Sequence, residues 1–292
     1  MSAWLVTGAG GMLGRDLVDL LTRRADVRLT ALDRAGLDIT DPEAVADRVA
    51  GHDVVVNAAA WTDVDGAEAA EELATAVNGD AVRQLALACA STGAVLVQVS
   101  TDYVFAGDAT EPYAEDAPTA PVNAYGRGKL VGERAVLETL PERGYVVRTA
   151  WLYSPSGRNF LTTMQRLATE RETVSVVDDQ QGQPTWSRAL AQRLVELGDA
   201  ARAGRAPAGI YHGTAAGSTT WYGFARAIFA AAGLDPERVR PTTTEAFPRP
   251  ARRPGYSVLG HAGWARAGLA PLPDWRESLA AALAGVPVTA RP

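Results

Sequence analysis

The sequence predicts an α/β fold in which a doubly wound parallel sheet is followed by a smaller C-terminal domain. Over the first 150 residues, short apolar runs alternate with amphipathic runs of helical period, which is the pattern of a parallel sheet covered by helices. A glycine-rich turn joins the first apolar run to the first helical run. After residue 150 the alternation weakens, and proline, tryptophan and irregular runs become more frequent.

The composition is that of an ordinary globular protein with an acidic balance. The chain has 292 residues, of which 47% are hydrophobic and 21% are charged, and its formal net charge is -6. This length is enough for one large domain or two smaller ones around a substantial core. The negative charge disfavours nucleic acid as a partner. It leaves a small anionic ligand possible, because backbone amides can bind phosphate.

Little in the sequence indicates a membrane or a metal. The N-terminus has no basic region followed by a long apolar stretch, and no run reaches 18 apolar residues. The single cysteine, Cys89, lies in a helical run and is expected to be buried. His52, His212 and His261 lack the spacing of metal ligands. We therefore expect a cytoplasmic protein with no membrane partner, and we predict no metal.

The first strand, residues 3–6, leads through "TGAGGMLG" into a helix. Leu13 stands where G-x-G-x-x-G would have its last glycine, so the spacing that fits is G-x-x-G-x-x-G. These glycines permit a tight turn, a close approach of a pyrophosphate to the backbone, and close packing of helix on strand, as in Rossmann-type dinucleotide sites. The predicted cofactor contacts of this turn are Gly8, Gly11, Met12, Leu13 and Gly14.

The second strand, residues 27–33, ends in an acidic residue that can meet the adenosine ribose. Asp33 lies 25 residues after Gly8, near the expected distance for that contact. A carboxylate there favours NADH, whereas Arg34 can pair with the 2′-phosphate of NADPH, so both cofactors stay open. Asp33 is equally well explained as a turn residue. Asp38 and Ile39 lie where a loop can cover the adenine.

Two further strands end in residues suited to a cleft. Residues 52–60 run into small side chains at Ala58, Ala59 and Ala60, which let a cofactor lie against the backbone. Residues 94–100 end in Ser100, which is also the first residue of "STDYVF". Ligands bind at the carboxyl ends of the strands in open α/β sheets. The hydroxyl and carboxyl groups of this stretch are therefore expected at the site.

The helix that follows carries Tyr125 and Lys129 on one face, four residues apart and among glycines. This set suits the reduction of a carbonyl, in which the oxygen that gains charge must receive a proton. The pKa of a free tyrosine is about 10, and we expect the Lys129 ammonium to lower it. Thr101 can hold the substrate oxygen. A Y-x-x-x-K pair alone is weak, but the glycine turn and the strand-end residues favour this interpretation.

The domain boundaries follow from where the alternation weakens. Residues 1–150 are predicted to form a dinucleotide-binding domain, completed by part of 172–206. Residues 151–292 are predicted to form most of a substrate-binding domain that is interleaved with the last strands of the sheet.

At this point the sequence resembles the extended short-chain dehydrogenase/reductases and, within them, the dTDP-4-dehydrorhamnose reductase family. The glycine turn and Y-x-x-x-K are typical of the superfamily, while "STDYVF", "RTAWLYSPSGRNF" and "DDQQGQPT" are typical of the 4-ketosugar reductases. The similarity covers nearly the whole chain. It implies reduction of the 4-keto group of dTDP-4-dehydro-L-rhamnose to give dTDP-L-rhamnose, with NADPH or NADH as cofactor.

The resemblance also implies roles for single residues. Tyr125 would donate the proton, Lys129 would modulate it and contact the nicotinamide ribose, and Thr101 would bind the substrate oxygen. Arg252 and Arg253 would meet the diphosphate, although an exposed surface role explains them equally well. The remaining substrate contacts that it implies are Asp102, Tyr103 and Trp151 for the sugar, and Asn159 and Phe160 for the nucleotide.

Two residues depart from the family pattern. Trp61 replaces a tyrosine and can reshape the sugar pocket. Arg188 stands where better-known members carry an acid that binds magnesium at a dimer contact. We therefore predict no metal-bridged dimer, and the expected state is a monomer or a homodimer.

Two alternatives remain. One is a related ketoreductase of a natural-product pathway, with an epimeric or ring-contracted product such as dTDP-dihydrostreptose. The other is a non-catalytic regulatory subunit of the same fold, similar in this respect to the methionine adenosyltransferase β subunit.

Overall fold

The computed structural model describes residues 1–284, so the last part of the predicted domain 151–292, residues 285–292, lies outside the described residues. The described strands are β1 (Ser2–Thr7), β2 (Val27–Leu32), β3 (Val54–Asn57), β4 (Val95–Thr101), β5 (Gly144–Thr149), β6 (Leu152–Tyr153), β7 (Val174–Val177), β8 (Gln181–Gly182), β9 (Thr185–Trp186), β10 (Gly209–His212), β11 (Thr219–Thr220) and β12 (Val239–Thr242). Six of them form a central parallel sheet with the strand order β10-β5-β4-β3-β1-β2.

The helices lie between these strands in chain order. They are α1 (Met12–Thr22), α2 (Pro42–Val49), α3 (Val64–Ala69), α4 (Glu71–Thr75), α5 (Ala81–Thr92), α6 (Ala124–Thr139), α7 (Phe160–Glu170), α8 (Ser187–Arg202), α9 (Trp221–Ala231), α10 (Ala262–Arg266) and α11 (Trp275–Leu283). Short 3₁₀ turns cover Asp102–Val104, Pro236–Arg238 and Thr244–Ala246. Within residues 1–284, every helix is too short or too polar to cross a membrane.

The strand order reverses between β1 and β3. From β1 the chain adds β2 on one side of the sheet, then crosses to the other side and adds β3, β4 and β5 in turn. The loops that leave β1 and β3 therefore diverge at their carboxyl ends. A crevice opens at such a switch point, and ligands bind there in doubly wound sheets.

Helices cover both faces of the sheet, which explains why its strands are almost wholly apolar. Leu17 of α1 and Leu194 of α8 are buried against one face. Val45 of α2, Leu85 of α5 and Val136 of α6 are buried against the other. The predicted doubly wound α/β fold is confirmed.

The element boundaries differ from the predicted ones where small residues leave the sheet. Predicted strand 52–60 stops at Asn57, and residues 58–60 form an irregular segment over the cleft. Helix α2 begins directly after Asp41. The Asp41 side chain accepts hydrogen bonds from the amides of Glu43 and Ala44.

A π-helical turn, Ala76–Asp80, joins α4 to α5 and holds a loop at the cleft. The Asn78 side chain accepts from the Trp61 amide at 2.9 Å and donates to the Trp61 carbonyl at 3.0 Å. The turn lies so close to α6 that a Cβ at Gly132 would lie 2.3 Å from the Asn78 carbonyl oxygen. The Trp61 backbone is therefore fixed next to the helix that carries Tyr125.

The second part of the chain has a separate hydrophobic core. Leu161 of α7, Phe224 and Phe229 of α9, and Trp275 of α11 are buried in it. Three two-stranded ladders surround this core: β12 with β7, β11 with β8, and β6 with β9. Because α8 packs on the main sheet and β10 is one of its strands, the chain passes between the two cores more than once.

Candidate active site

A cleft of about 940 Å³ lies at the carboxyl edge of the sheet, over the switch point. It extends from the glycine turn after β1 to the residues that follow β5. Most residues predicted for the site line this one cleft. They are Gly8, Gly11, Met12, Leu13, Gly14, Asp33, Arg34, Asp38, Ile39, Ala58, Ala59, Ala60, Thr101, Asp102, Tyr103, Tyr125, Lys129 and Trp151.

The glycine turn has the geometry of a phosphate cradle. Gly8 has a φ of 68°, and a Cβ there would lie 2.6 Å from the Ala58 backbone. A Cβ at Gly14 would lie 2.1 Å from the Gly8 carbonyl oxygen. Gly11 begins α1, and no side chain caps this helix. The first amides of α1 are thus free to bind an anion, as a dinucleotide pyrophosphate requires.

Asp33 is both a turn residue and a residue of the cleft wall. Its Oδ1 accepts hydrogen bonds from the amides of Ala35 and Gly36, each at 3.0 Å, as a turn residue does. Its carboxylate also lines the cleft, with Arg34 beside it. A carboxylate and a guanidinium group therefore lie side by side at this end of the cleft.

Asp38 and Ile39 contribute to the cleft in different ways. The Asp38 carboxylate accepts hydrogen bonds from the amide and hydroxyl of Thr40, which lower its pKa. Ile39 is buried and belongs to the core beneath the cleft. Asp38 thus stabilises the loop around Thr40, and Ile39 packs beneath the cleft as an apolar residue.

The strand end after β4 places a hydroxyl beside the tyrosine. The Thr101 hydroxyl donates to Asp102 Oδ1 at 2.9 Å and accepts from the Tyr103 amide at 3.2 Å. Tyr125 lies in the first turn of α6, and its ring meets that of Tyr103 edge to face at 6.1 Å. Asn123 caps this helix by accepting from the Gly126 amide at 2.8 Å. The phenol and Thr101 therefore share one side of the cleft.

The expected effect of Lys129 on the Tyr125 pKa is not found. Burial, followed by the negative charge of Asp102, raises the pKa of Tyr125 above its usual value, while a hydrogen bond with Thr101 opposes the rise. The Lys129 ammonium instead donates to the Val99 carbonyl at 2.6 Å. The phenol is thus kept protonated, which is the form that a proton donor needs.

Lys129 is almost completely enclosed. It is 4% exposed, and burial lowers its pKa to about 8, with the Glu133 carboxylate opposing the shift. Glu133, one turn further along α6, accepts from the Ser100 hydroxyl at 2.6 Å and from Arg148 at 2.7 Å. Arg148 and Glu133 are both buried, and they connect the helix of Lys129 to the strand ends of β4 and β5.

Asp102 is buried beside Thr101 and Tyr125. Burial raises its pKa to about 6, against hydrogen bonds from Ser257 and Thr101. Its Oδ2 has no hydrogen-bond partner among the described residues. A buried polar atom of this kind is costly unless a further group pairs with it. Asp102 therefore holds one unpaired carboxylate oxygen next to the cleft.

Trp151 marks the other end of the cleft. Its backbone has a φ of 47°, in the left-handed region, and it is the one non-glycine residue among residues 1–284 with a positive φ. Such a conformation costs about 1–3 kcal/mol. Its indole stacks on that of Trp221 with ring centroids 3.7 Å apart and planes 10° from parallel.

Two predicted nucleotide contacts have local structural roles and do not line the cleft. The Asn159 side chain caps α7 by accepting from the Thr162 amide at 3.3 Å, and it donates to the Ser154 carbonyl at 2.8 Å. Phe160 packs against Trp221 and belongs to the second core. The Asn159 amide is used in capping α7, and the Phe160 ring packs in the second core. Neither side chain is therefore directed into the cleft.

The two predicted diphosphate contacts also lie outside the cleft wall. Arg253 pairs with Asp65, lowering the pKa of that carboxyl group to about 2. Arg252 is exposed, and its carbonyl accepts from the Asn123 side chain at 2.9 Å. The exposed surface role considered for these arginines fits Arg252, whereas Arg253 is largely buried in its ion pair with Asp65.

Trp221 and Arg158 are among the side chains of the cleft wall that the sequence did not predict. Trp221, at the start of α9, lies 70 positions after Trp151, and no local pattern connects the two. Arg158 was passed over although it adjoins Asn159 in the "SGRNF" stretch. A basic residue next to predicted nucleotide contacts was the available signal for Arg158.

Arg188 lies at the start of α8, away from the cleft. Its guanidinium bonds Asp19 and lies 4.0 Å from Asp16, whose carboxylate accepts from the Ser187 hydroxyl. The Arg188 guanidinium therefore neutralises the acidic side chains of Asp16 and Asp19. In the described part of the chain, His, Cys, Asp and Glu do not form a group of three or more that could hold a metal.

A dinucleotide cradle, a Thr–Tyr–Lys group and a doubly wound sheet together define an NAD(P)-dependent reductase of the extended short-chain type. The chain matches the family described as the RmlD substrate binding domain over residues 2–287. A dTDP-4-dehydrorhamnose reductase of Streptomyces griseus is 59% identical over 278 residues, which cover 94% of this chain and 91% of the relative. The chain belongs to the dTDP-4-dehydrorhamnose reductase family.

Two other similar proteins bear on cofactor and substrate. A crystal structure of dTDP-4-dehydrorhamnose reductase from Bacillus anthracis in complex with NADP has a TM-score of 0.90 and 38% identity, covering 97% of this chain and 99% of that one. A dTDP-4-keto-6-deoxy-D-glucose reductase of Streptomyces niveus is 51% identical over 278 residues, which cover 94% of each chain.

Proposed function

We propose that the protein reduces the 4-keto group of dTDP-4-dehydro-L-rhamnose to a hydroxyl group, giving dTDP-L-rhamnose, with NADPH or NADH as cofactor. The observation that carries this proposal is that Thr101, Tyr125 and Lys129 line the same cleft as the glycine turn. The family supplies the substrate class, since its relatives are named for reduction of dTDP-4-ketosugars. The substrate is thus a dTDP-4-dehydro-6-deoxysugar.

The cradle fits the proposed cofactor. Gly8, Gly11 and Gly14 leave no side chain between the uncapped start of α1 and the cleft, so the pyrophosphate would bind there. Asp33 would accept from the adenosine ribose, and Arg34 would meet a 2′-phosphate. The nicotinamide supplies the hydride for C4 of the sugar.

The residues of the chain then handle the oxygen and the proton. Thr101 would turn its single hydroxyl proton from Asp102 Oδ1 to the carbonyl oxygen, which gains negative charge as the hydride is added. Tyr125 would give its phenolic proton to that oxygen, so that a hydroxyl group is formed. Lys129, the proposed modulator of Tyr125, would hold the nicotinamide ribose through its remaining N–H groups.

The other predicted contacts are part of the same proposal. Asp102, with its unpaired oxygen, and Tyr103 would bind hydroxyl groups of the sugar, and Trp151 would pack against it. Ala58, Ala59 and Ala60 would lie against the cofactor, with Asp38 and Ile39 near the adenine.

A related 4-ketoreductase of a natural-product pathway remains the second candidate. The Streptomyces niveus relative carries such a name. Trp61, the residue that departs from the family pattern, packs in the same cluster as Tyr125. A wider or narrower pocket at this point would change which face of the ketone receives the hydride.

The remaining parts of the proposal concern organisation. Two separate cores support a dinucleotide-binding domain over 1–150, completed by part of 172–206, and a substrate domain over most of 151–292. We propose a cytoplasmic monomer or homodimer that binds neither nucleic acid nor membrane. The presence of both Tyr125 and Lys129 in the cleft supports an enzyme over a regulatory subunit.

The test is oxidation of NADPH and of NADH with dTDP-4-dehydro-L-rhamnose generated in place, with the sugar product identified by NMR. We expect ketosugar-dependent oxidation and dTDP-L-rhamnose as product. Oxidation that gives an epimer or a ring-contracted sugar would assign the protein to the second candidate. Absence of oxidation with both cofactors, together with a partner that co-purifies, would point to the regulatory subunit.

A further inference from the structure

The strained residue of the cleft is held in place by contacts that lie outside the catalytic group. Trp151 follows β5, two residues after Thr149, which pairs in register with Thr101 of β4. A bulky residue at a φ of 47° persists only where its surroundings impose that conformation. The contacts that impose it should therefore be identifiable around the Trp151 backbone and ring.

The first set of contacts comes from "QGQPT", residues 181–185, a stretch that the cofactor and catalytic residues leave unexplained. The Thr185 amide donates to the Trp151 carbonyl at 3.2 Å and fixes the backbone. A Cβ at Gly182 would lie 2.6 Å from Cε2 and Cζ2 of the Trp151 indole. Only glycine at 182 lets the ring occupy this position, because any side chain would displace it.

The second contact is the indole of Trp221, stacked on Trp151 at 3.7 Å. Trp221 is the first residue of α9, and Thr220 caps the helix. Thr219, just before the cap, pairs with Gly182 in the β11–β8 ladder. One short ladder thus places both the glycine and the second indole against Trp151.

We infer that Trp221 and Gly182 are positioning residues, which hold Trp151 as a preformed apolar wall for the dTDP-sugar. This inference rests on the proposed function, because it names the part of the cleft that receives that substrate. A 6-deoxysugar presents an apolar methyl edge, and thymine presents an apolar face. Either group gains from a wall that needs no reordering on binding.

The test compares Trp221→Ala, Trp221→Phe and Gly182→Ala in the full chain. Trp221→Ala should raise KM for the ketosugar about tenfold, since an aromatic pair contributes up to about that factor. kcat and the Kd for NADPH should change little, as expected when binding alone is lost. Trp221→Phe keeps an aromatic ring and should restore most of the affinity.

Gly182→Ala separates positioning from direct contact, because Gly182 does not line the cleft. It should raise KM in the same way by moving the Trp151 ring. The matched control is Gly255→Ala, near the same strand, where a Cβ would meet its nearest atom at 3.7 Å, an ordinary contact. Tyr222→Ala is the control for α9, since Tyr222 lies next to Trp221 but outside the cleft wall.

A second readout does not depend on turnover. Two stacked indoles couple their transitions, so the unmodified protein should show a paired signal in far-ultraviolet circular dichroism. Trp221→Ala should abolish this signal, Gly182→Ala should change it, and both controls should keep it.

Binding of dTDP alone locates the contact. Weaker dTDP binding by Trp221→Ala, matching the rise in KM, would place thymine on the wall, and unchanged dTDP binding would place the sugar there. If KM and dTDP affinity stay at wild-type values in both Trp221→Ala and Gly182→Ala, the inference is wrong. If the unmodified protein does not turn over the ketosugar, the proposed function fails. The affinity of the variants for dTDP and for dTDP-L-rhamnose, measured without turnover, still decides the inference.

Discussion

The two halves of the cleft are built in different ways. The cofactor half comes from short contiguous segments, each at the end of one strand of the sheet: residues 8–14, 33–39 and 58–60. The substrate half combines Trp151, Arg158 and Trp221, which lie on three separate loops and helix starts. The first half depends on strand order and backbone sterics, whereas the second depends on packing between distant parts of the chain.

This difference sets where each half is vulnerable. In the cofactor half, Gly8 and Gly14 are required because backbone atoms lie within 3 Å of a Cβ added at either position. In the substrate half, the wall depends on stacked rings and one glycine in a short ladder. Substitutions in the first half should impair cofactor binding, and those in the second should impair sugar binding. Loss of the Tyr125 phenol, which lies between the two halves, should affect turnover alone.

The largest effect is expected for Tyr125→Phe, at the junction of the two halves. Loss of the proton donor should lower kcat by about 10²–10⁴-fold, the range of general acid catalysis. NADPH affinity, measured by fluorescence titration, should stay close to wild type. The control is Tyr222→Phe, which removes a phenol outside the cleft. Wild-type kcat in Tyr125→Phe would exclude Tyr125 as the donor.

The cofactor half is tested by Gly14→Ala. The added methyl would lie 2.1 Å from the Gly8 carbonyl oxygen, so the start of α1 must move away from the turn. NADPH affinity should fall about tenfold or more, a loss of about 1.4 kcal/mol or more. Urea unfolding, measured alongside, would show how far the turn itself is destabilised. Unchanged affinity would remove the phosphate cradle from the proposal.

The same difference explains what the sequence could predict. Gly8, Asp33, Tyr125 and Lys129 follow strand ends or share one helix face, so spacing along the chain was enough to place them in one cleft. Trp221 meets Trp151 only through the β8–β11 ladder, and neither short strand has a periodic pattern. Spacing cannot predict that kind of contact.

Substrate contacts taken from the resemblance had a mixed outcome for the same physical reason. Asp102 and Trp151 line the cleft, because they directly follow strands of the sheet. Asn159 and Phe160 follow a loop, and there the nearest partners were a helix end and the second core. A motif identifies a segment, but the direction of each side chain depends on what packs around it.

The third prediction concerns the pH dependence of the catalytic group. Lys129 has a pKa lowered to about 8, so its ammonium is charged below that pH and neutral above it. Tyr125, with a raised pKa, stays protonated across this range. kcat/KM for ketone reduction should therefore be level below about pH 8 and fall above it, by up to about tenfold per pH unit.

Two variants sharpen this test. Lys129→Arg keeps a positive charge at all these values and should remove the fall above pH 8. Lys129→Met removes the charge and should lower both turnover and NADPH affinity at every pH. If kcat/KM of the unmodified protein stays level to pH 10, titration of Lys129 does not cause the expected fall.

The smallest effect is expected at the edge of the cofactor half, where Arg34 and Asp33 favour different cofactors. Arg34 is exposed, so its pairing with a 2′-phosphate should contribute about tenfold or less to NADPH affinity. Arg34→Ala should raise KM for NADPH by that factor and leave KM for NADH unchanged, with the difference shrinking at high salt. The matched control is Arg28→Ala, on β2 but bonded to the Gly51 carbonyl outside the cleft. If KM changes equally for NADPH and NADH, Arg34 stabilises the loop and does not bind the 2′-phosphate.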